Sequence, residues 1–124
     1  MNANQIHKFI TKLNRDTKED LIVWNVNNNM LQNLAGTETL IDNVYFCKVL
    51  DKYIRLFRLK SKYYYDEGLY EWVEEIRLDF MDNLGKSEWT FPGDRAIGDL
   101  YDTVRYKTSN VETFLDKFLA ENEE

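Results

Sequence analysis

The sequence is poor in residues that crosslink, punctuate or catalyse. One proline and five glycines stand among 124 residues, too few for a collagen-like chain or a low-complexity linker. The lone cysteine, Cys47, has no intramolecular disulfide partner, which excludes a disulfide framework. Its apolar and aromatic neighbours, Tyr45, Phe46 and Val49, read it as a small buried hydrophobe, and a reducing cytoplasm is the simplest compartment for it. The one histidine, His7, leaves no Cys/His spacing for zinc. A nucleophilic triad would have to draft that residue from a helix near the terminus. Neither a glycine-rich phosphate loop nor a Gly-x-Ser-x-Gly elbow occurs. Glu74 and Glu75 are adjacent on a strand, so they point to opposite faces and suit shared acid–base work poorly. Asp16, Glu19 and Asp20 match no calcium loop and read as a solvated turn. No metal and no cofactor is expected, and the chain is read as a non-enzyme. The first residues lack the apolar stretch of a secretory signal. No apolar run approaches the roughly 18 residues of a membrane span, so no membrane association is expected.

What is abundant points to a packed core. The chain is 44% hydrophobic and 15% aromatic, whereas disordered chains are short of aromatic residues. Its formal charge is −6, which disfavours phosphate binding, so no nucleic-acid partner is expected. An acidic surface serves solubility or docks on a basic partner. Asn, Lys, Ile and Tyr, residues of AT-rich codons, are frequent, which suits a low-GC bacterium or its phage.

Periodicity sets out the elements. Ile6, Phe9, Ile10 and Leu13 recur at helical spacing and predict a first helix ending near residues 14–17. Residues 21–26 read as a strand and residues 27–29 as a turn. Met30, Leu31 and Leu34 suggest a helical turn before Gly36. From residue 39 to residue 91 the pattern is a β-meander. Pro92 ends it, and Asp94 is placed to cap a helix. Ile97, Leu100, Tyr101 and Val104 form one helical stripe; Val111, Phe114, Leu115, Phe118 and Leu119 form another. Ser109 and Glu112 have capping-box spacing between them, and residues 120–124 should fray. The expected fold is a single two-layer α+β domain over residues 1–124: a meandering antiparallel sheet of about five strands, packed by an N-terminal helix and two C-terminal helices.

The meander fixes a register. In residues 70–80, Tyr70, Trp72, Ile76, Leu78 and Phe80 alternate with Glu71, Glu75, Arg77 and Asp79, as in a half-buried strand. Residues 53–65 are its partner across a turn at Asp66, Glu67 and Gly68, with the glycine in a left-handed position. If Tyr65 pairs with Leu69, then Tyr64 faces Tyr70, Lys62 faces Trp72, Lys60 faces Glu74, Leu56 faces Leu78 and Ile54 faces Phe80, leaving Arg58 against Ile76 as the one poor match. A four-residue loop at 83–86 then places Trp89 opposite Phe80.

Two candidate sites follow from this register. Tyr63, Tyr65 and Glu71 share the face away from Tyr64 and are the candidate binding surface, since tyrosine offers wide contact area at low entropy cost. On the other face Glu74 interrupts an apolar run. A buried carboxylate needs a partner, and Lys60 lies opposite it. Glu74, Lys60, Lys62, Tyr64 and Trp72 are therefore a candidate pocket between sheet and helices.

The strings FITKL (9–13), YYYDE (63–67), WTFP (89–92), LYDTV (100–104) and VETFL (111–115) together resemble an uncharacterised family of small acidic bacterial proteins. The resemblance implies a bacterial family and carries no chemistry with it. No motif assigns an activity. The expected function is a small cytoplasmic protein-interaction, inhibitor or immunity-type protein of bacterial or phage origin, with a protein as partner. A small-ligand domain or cryptic enzyme is the alternative, and a nucleic-acid mimic the third. Edge pairing through residues 21–26 or 86–91 offers a route to a homodimer.

Overall fold

Helix α1 (Ala3–Lys18) starts at Asn2 with a reciprocal cap. The Gln5 amide donates to the Asn2 side chain at 2.9 Å, and the Asn2 amide donates to Gln5 Oε1 at 3.1 Å, which satisfies two orphan donors of the first turn. The computed structural model describes residues 2–30 and 36–121. The expected turn through Leu31 and Leu34, and the last residues of the tail, lie outside them.

At its other end α1 closes on Asp20, which holds φ at 60°. The amides of Asp20 and Leu21 donate back to the carbonyls of Thr17 and Asp16, the bonding of a left-handed helix stop. This overturns part of the expected strand at 21–26. The amides of Leu21 and Ile22 both donate to Asp16, so neither is left for a sheet ladder. Only Asn25–Val26 pairs, as β1. Trp24 is buried and donates its indole N–H to Thr17 Oγ1 at 3.0 Å, while Thr17 donates to the Leu13 carbonyl.

After a 3₁₀ turn at Asn28–Met30, five strands follow: β2 (Glu38–Leu40), β3 (Tyr45–Val49), β4 (Lys52–Asp66), β5 (Leu69–Met81) and β6 (Ser87–Thr90). All pair antiparallel, in the order β1-β3-β4-β5-β6. Strand β2 also pairs with β4, on residues 59–61, beyond the stretch 52–56 that β3 occupies. The β4–β5 register matches the expectation from Tyr53–Met81 through to Tyr64–Tyr70. It shifts by one at Tyr65, where a bulge lets Asp66 pair with Leu69. Gly68 in the turn holds φ at +74°, a conformation glycine adopts without a Cβ penalty. Phe80 faces Trp89 as expected, with a further irregularity before Met81 pairs with Ser87.

Helices α1 and α2 (Arg95–Thr108) cover one sheet face. The core between the layers gathers Ile6, Ile10, Leu13, Trp24, Tyr45, Cys47, Ile54, Leu56, Leu78, Phe91, Ile97, Leu100, Tyr101 and Val104. Phe91 stacks on Phe9 at 5.4 Å and meets Phe80 and Trp89. Asp94 caps α2 by accepting from the Ala96 amide at 2.8 Å. The opposite face holds a smaller cluster of Val44, Phe57 and Leu59 and a buried ion pair. Arg55 donates to Asp79 at 2.7 Å and to the Gly85 carbonyl at 3.1 Å, and both side chains are nearly solvent-free.

The final helix, α3 (Val111–Glu121), buries none of its described residues. The Ser109–Glu112 capping box does not form. Ser109 instead ends α2, its hydroxyl donating to the Tyr106 carbonyl, and Asn110 turns the chain at φ 58°. Among the described residues no helix is long and apolar enough to cross a membrane.

Candidate interaction surface

The β4–β5 ribbon outgrows the layer that covers it. Strand β2 pairs with β4 only as far as Ser61, with one further bond from the Lys62 amide to the Thr37 carbonyl. Strand β6 pairs with β5 only from Asp79 onward. Beyond these points, among the described residues, the two strands run on as an arm with no third strand. Tyr63, Tyr64, Tyr65, Leu69, Tyr70, Trp72 and Val73 are all exposed there.

The two candidate sets fall on opposite faces of this one arm. Tyr63 and Glu71 are a cross-strand pair, with Tyr65 at the bulge beyond them. Glu75 lies on the same face and accepts from Arg77, which also reaches Glu38. Around this face the cation of Arg77 is thus already engaged, and the open charge is that of Glu71. No group here is enclosed.

The other face carries Lys60, Lys62, Tyr64, Tyr70, Trp72 and Glu74. The expected pocket is corrected in two respects. It does not lie between sheet and helices: Trp72 is exposed, and the Glu74 side chain keeps 53% of its surface in solvent. Glu74 faces Lys60 along the backbone as expected, but its carboxylate accepts from Arg58, diagonally across the ribbon. That bond is the first cause holding the Arg58 guanidinium above its ordinary pKa, and it resolves the poor match of Arg58 with Ile76. Lys60 is freed to lie over the Trp72 ring, its Nζ 4.7 Å from the centroid. Lys62 sits 4.6 Å from the Tyr70 ring and 5.5 Å from that of Trp72. Tyr64, Tyr70 and Trp72 meet in sequence at 5.5 and 5.8 Å. The result is a connected aromatic strip edged by cations, since ring faces attract ammonium groups.

The arm is therefore polarised. One face combines Lys60, Lys62 and Arg58 with three aromatic rings against the single carboxylate of Glu74. The other combines Tyr63, Tyr65 and Val73 with Glu71 and Glu75. Strand alternation alone produces this sorting, because successive side chains take opposite faces. The sequence signal for it was visible in the alternation itself, but which of the residues were covered was not.

A separate hollow lies at the edge of the helix layer, about 430 Å³ in volume, with Val26, Asp42, Tyr45, Arg105, Tyr106 and Val111 in its walls. Asp42 Oδ2 accepts from the Tyr101 hydroxyl at 3.1 Å and forms an ion pair with Arg105, whose Nε lies 3.2 Å away. Burial, then the Asp42 carboxylate, pushes the Tyr101 phenol above its ordinary pKa, so it remains a neutral donor. Sequence reasoning missed this trio, whose members lie far apart in the chain. Cys47 is buried, and desolvation pushes its thiol up to about 12; a protonated thiol is a poor nucleophile. His7 lies 3.3 Å from Asp94 at the start of α2. Compared with protein-family models, curated proteins and solved structures, the chain finds no match.

Proposed function

We propose that this chain is a non-enzymatic interaction protein of the inhibitor, immunity or adaptor kind, bacterial or phage in origin, which engages a protein partner through the tyrosine face of its arm. One observation carries the reading: Tyr63 and Tyr65 of β4 and Val73 of β5 stand exposed on the paired β4–β5 ribbon. A two-stranded ribbon is marginal in water by itself, and large exposed apolar clusters mark contact surfaces. Tyrosine and tryptophan supply most anchor energy at interfaces. Glu71 beside the tyrosines suits a partner surface with basic character. A cytoplasmic setting fits the lone buried thiol of Cys47.

The test is a pull-down from a bacterial extract with the wild-type chain and the variants Tyr63→Ala/Tyr65→Ala and Glu71→Lys. The expected result is a protein retained by the wild type and released from it by salt, held less strongly by Glu71→Lys, and lost from the double tyrosine variant. Recovery of no macromolecular partner, together with a monomer in solution, sinks the reading.

A small-ligand function is the second reading, and the hollow beside Asp42 and Arg105 favours it. A thermal-shift screen against metabolites and nucleotides tests it, because a ligand that binds only the folded state raises the melting temperature.

A further inference from the structure

The opposite, basic face of the arm and helix α3 are two exposed surfaces of complementary chemistry within one chain. On α3, Phe114, Leu115 and Leu119 are exposed, and Phe118 stacks on Phe114 at 6.2 Å. With a step of about 100° per residue, these side chains share one stripe with Val111. Glu112 and Asp116 border the stripe on one side and Glu121 on the other. Past the helix the sequence continues to Glu123 and Glu124, and Lys117 is the only cation from residue 111 onward. The segment is thus an acidic, amphipathic helix with Phe114, Leu115 and Leu119 of its apolar stripe exposed. A helix of 11 residues is marginal in water without tertiary packing, so its stripe calls for a cover.

The basic face of the arm offers what that stripe lacks at home. It is apolar along Tyr64, Tyr70 and Trp72 and cationic along Lys60 and Lys62. Helix α2, the element α3 packs on within its own chain, has Arg105 and Lys107 in its last turn, but both are engaged, with Asp42 and Asp20. We infer that α3 of a second copy docks on the Lys60–Lys62–Trp72 face of the arm, its stripe against the rings and its acids against the lysines. Each copy then donates one helix and receives one, so two equivalent contacts close a two-fold dimer. This contact leaves the Tyr63–Tyr65 face open, so the heterologous partner and the second copy use different sides of the arm. The inference does not rest on the preceding reading.

Sedimentation of the full-length chain over a range of concentrations tests it. The wild type is expected to dimerise, and to do so less strongly as salt rises. Lys60→Glu/Lys62→Glu should weaken association by about tenfold or more, as should Glu112→Lys/Asp116→Lys, since like charges then face across the contact. Combining all four changes should restore dimerisation. A mixture of the two double variants should recover both contacts, acidic arm on basic helix and basic arm on acidic helix, and form a heterodimer. Where a charge-reversed arm fails to fold, Leu115→Ser/Leu119→Ser removes the contact from the helix side. A monomer at every concentration overturns the inference, and so does a dimer indifferent to both charge reversals. A monomer whose tyrosine face still retains a protein partner would remove this inference and leave the proposed function standing.

Discussion

Strands β4 and β5 are one ribbon with two fates. In the half nearer the chain's core, Ile54, Leu56 and Leu78 are almost fully buried under α1 and α2. In the arm, Tyr64, Tyr70 and Trp72 occupy the same face and the same register, yet remain exposed. The backbone hydrogen bonding is continuous across both halves, so the difference is not one of pairing. It arises because the covering helices reach only part of the ribbon's length. Alternation tells which side chains share a face; it does not tell whether anything lies on that face. The body half spends its apolar residues on stability, while the arm half leaves its rings available for contact.

The largest test of the contrast is at the buried ion pair in the body. Asp79→Ala strands Arg55 beneath solvent, and breaking such a pair from one side is expected to destabilise by about 3–5 kcal/mol. Denaturant unfolding measures it. Next, Leu78→Ala opens a cavity in the main core and should destabilise by about 2–5 kcal/mol. Its counterpart in the arm is Trp72→Ala, which removes a larger side chain from the same strand and face. That change should destabilise by less than about 1 kcal/mol, the scale of a cross-strand pair with its cation contact. Equal losses at Leu78 and Trp72 would break the comparison, since they would mean that the arm is as well covered as the body.

Asp94→Ala sharpens the contrast from the helix side. Loss of this cap should cost about 1 kcal/mol near neutral pH. The Asp94 carboxyl is held below its ordinary value, first by the Ala96 amide and then by His7. A group with a lowered folded pKa contributes fully above its unfolded value, about 4 for aspartate, and loses that contribution as pH falls through the folded one. The gap between wild type and variant should therefore be widest near neutrality and shrink below about pH 4. Hydrogen exchange should locate the effect: faster exchange in α2 and in residues 54–58, with residues 63–72 unchanged.

The smallest expected effect is at Gly68. Its φ of +74° is strained for any L side chain, although a Cβ there would meet no atom within 4 Å. Gly68→Ala should cost about 1 kcal/mol or less, and it should loosen the arm tip with no change in the body's exchange. Protection lost in the core would show that the tip and the body unfold as one unit.

The residues that misled the sequence reading did so for identifiable reasons. Leu21 and Ile22 have strand propensity, but the helix stop at Asp20 engages the amides that a ladder would need. Ser109 and Glu112 have the spacing of a capping box, yet Ser109 is used to end the preceding helix. Glu74 does face Lys60, but Arg58 reaches it first from the diagonal position. In each case a local pattern had two compatible partners, and the nearer one in space was not the nearer one in the pattern.

Local chemistry written into the chain determined much of this protein. Apolar spacing set α1 and α2, strand alternation set the long hairpin and its register, and Gly68, Pro92 and Asp94 set where elements turn, stop and start. Those outcomes depend on neighbours within a turn or across a tight hairpin, so the order of residues suffices. Tertiary structure alone decided how far the helices extend over the ribbon, that α3 leaves Phe114, Leu115 and Leu119 of its stripe exposed, and that Asp42, Tyr101 and Arg105 meet. Coverage depends on where separate elements come to rest, and no periodicity within a single element encodes the length of the one that packs against it.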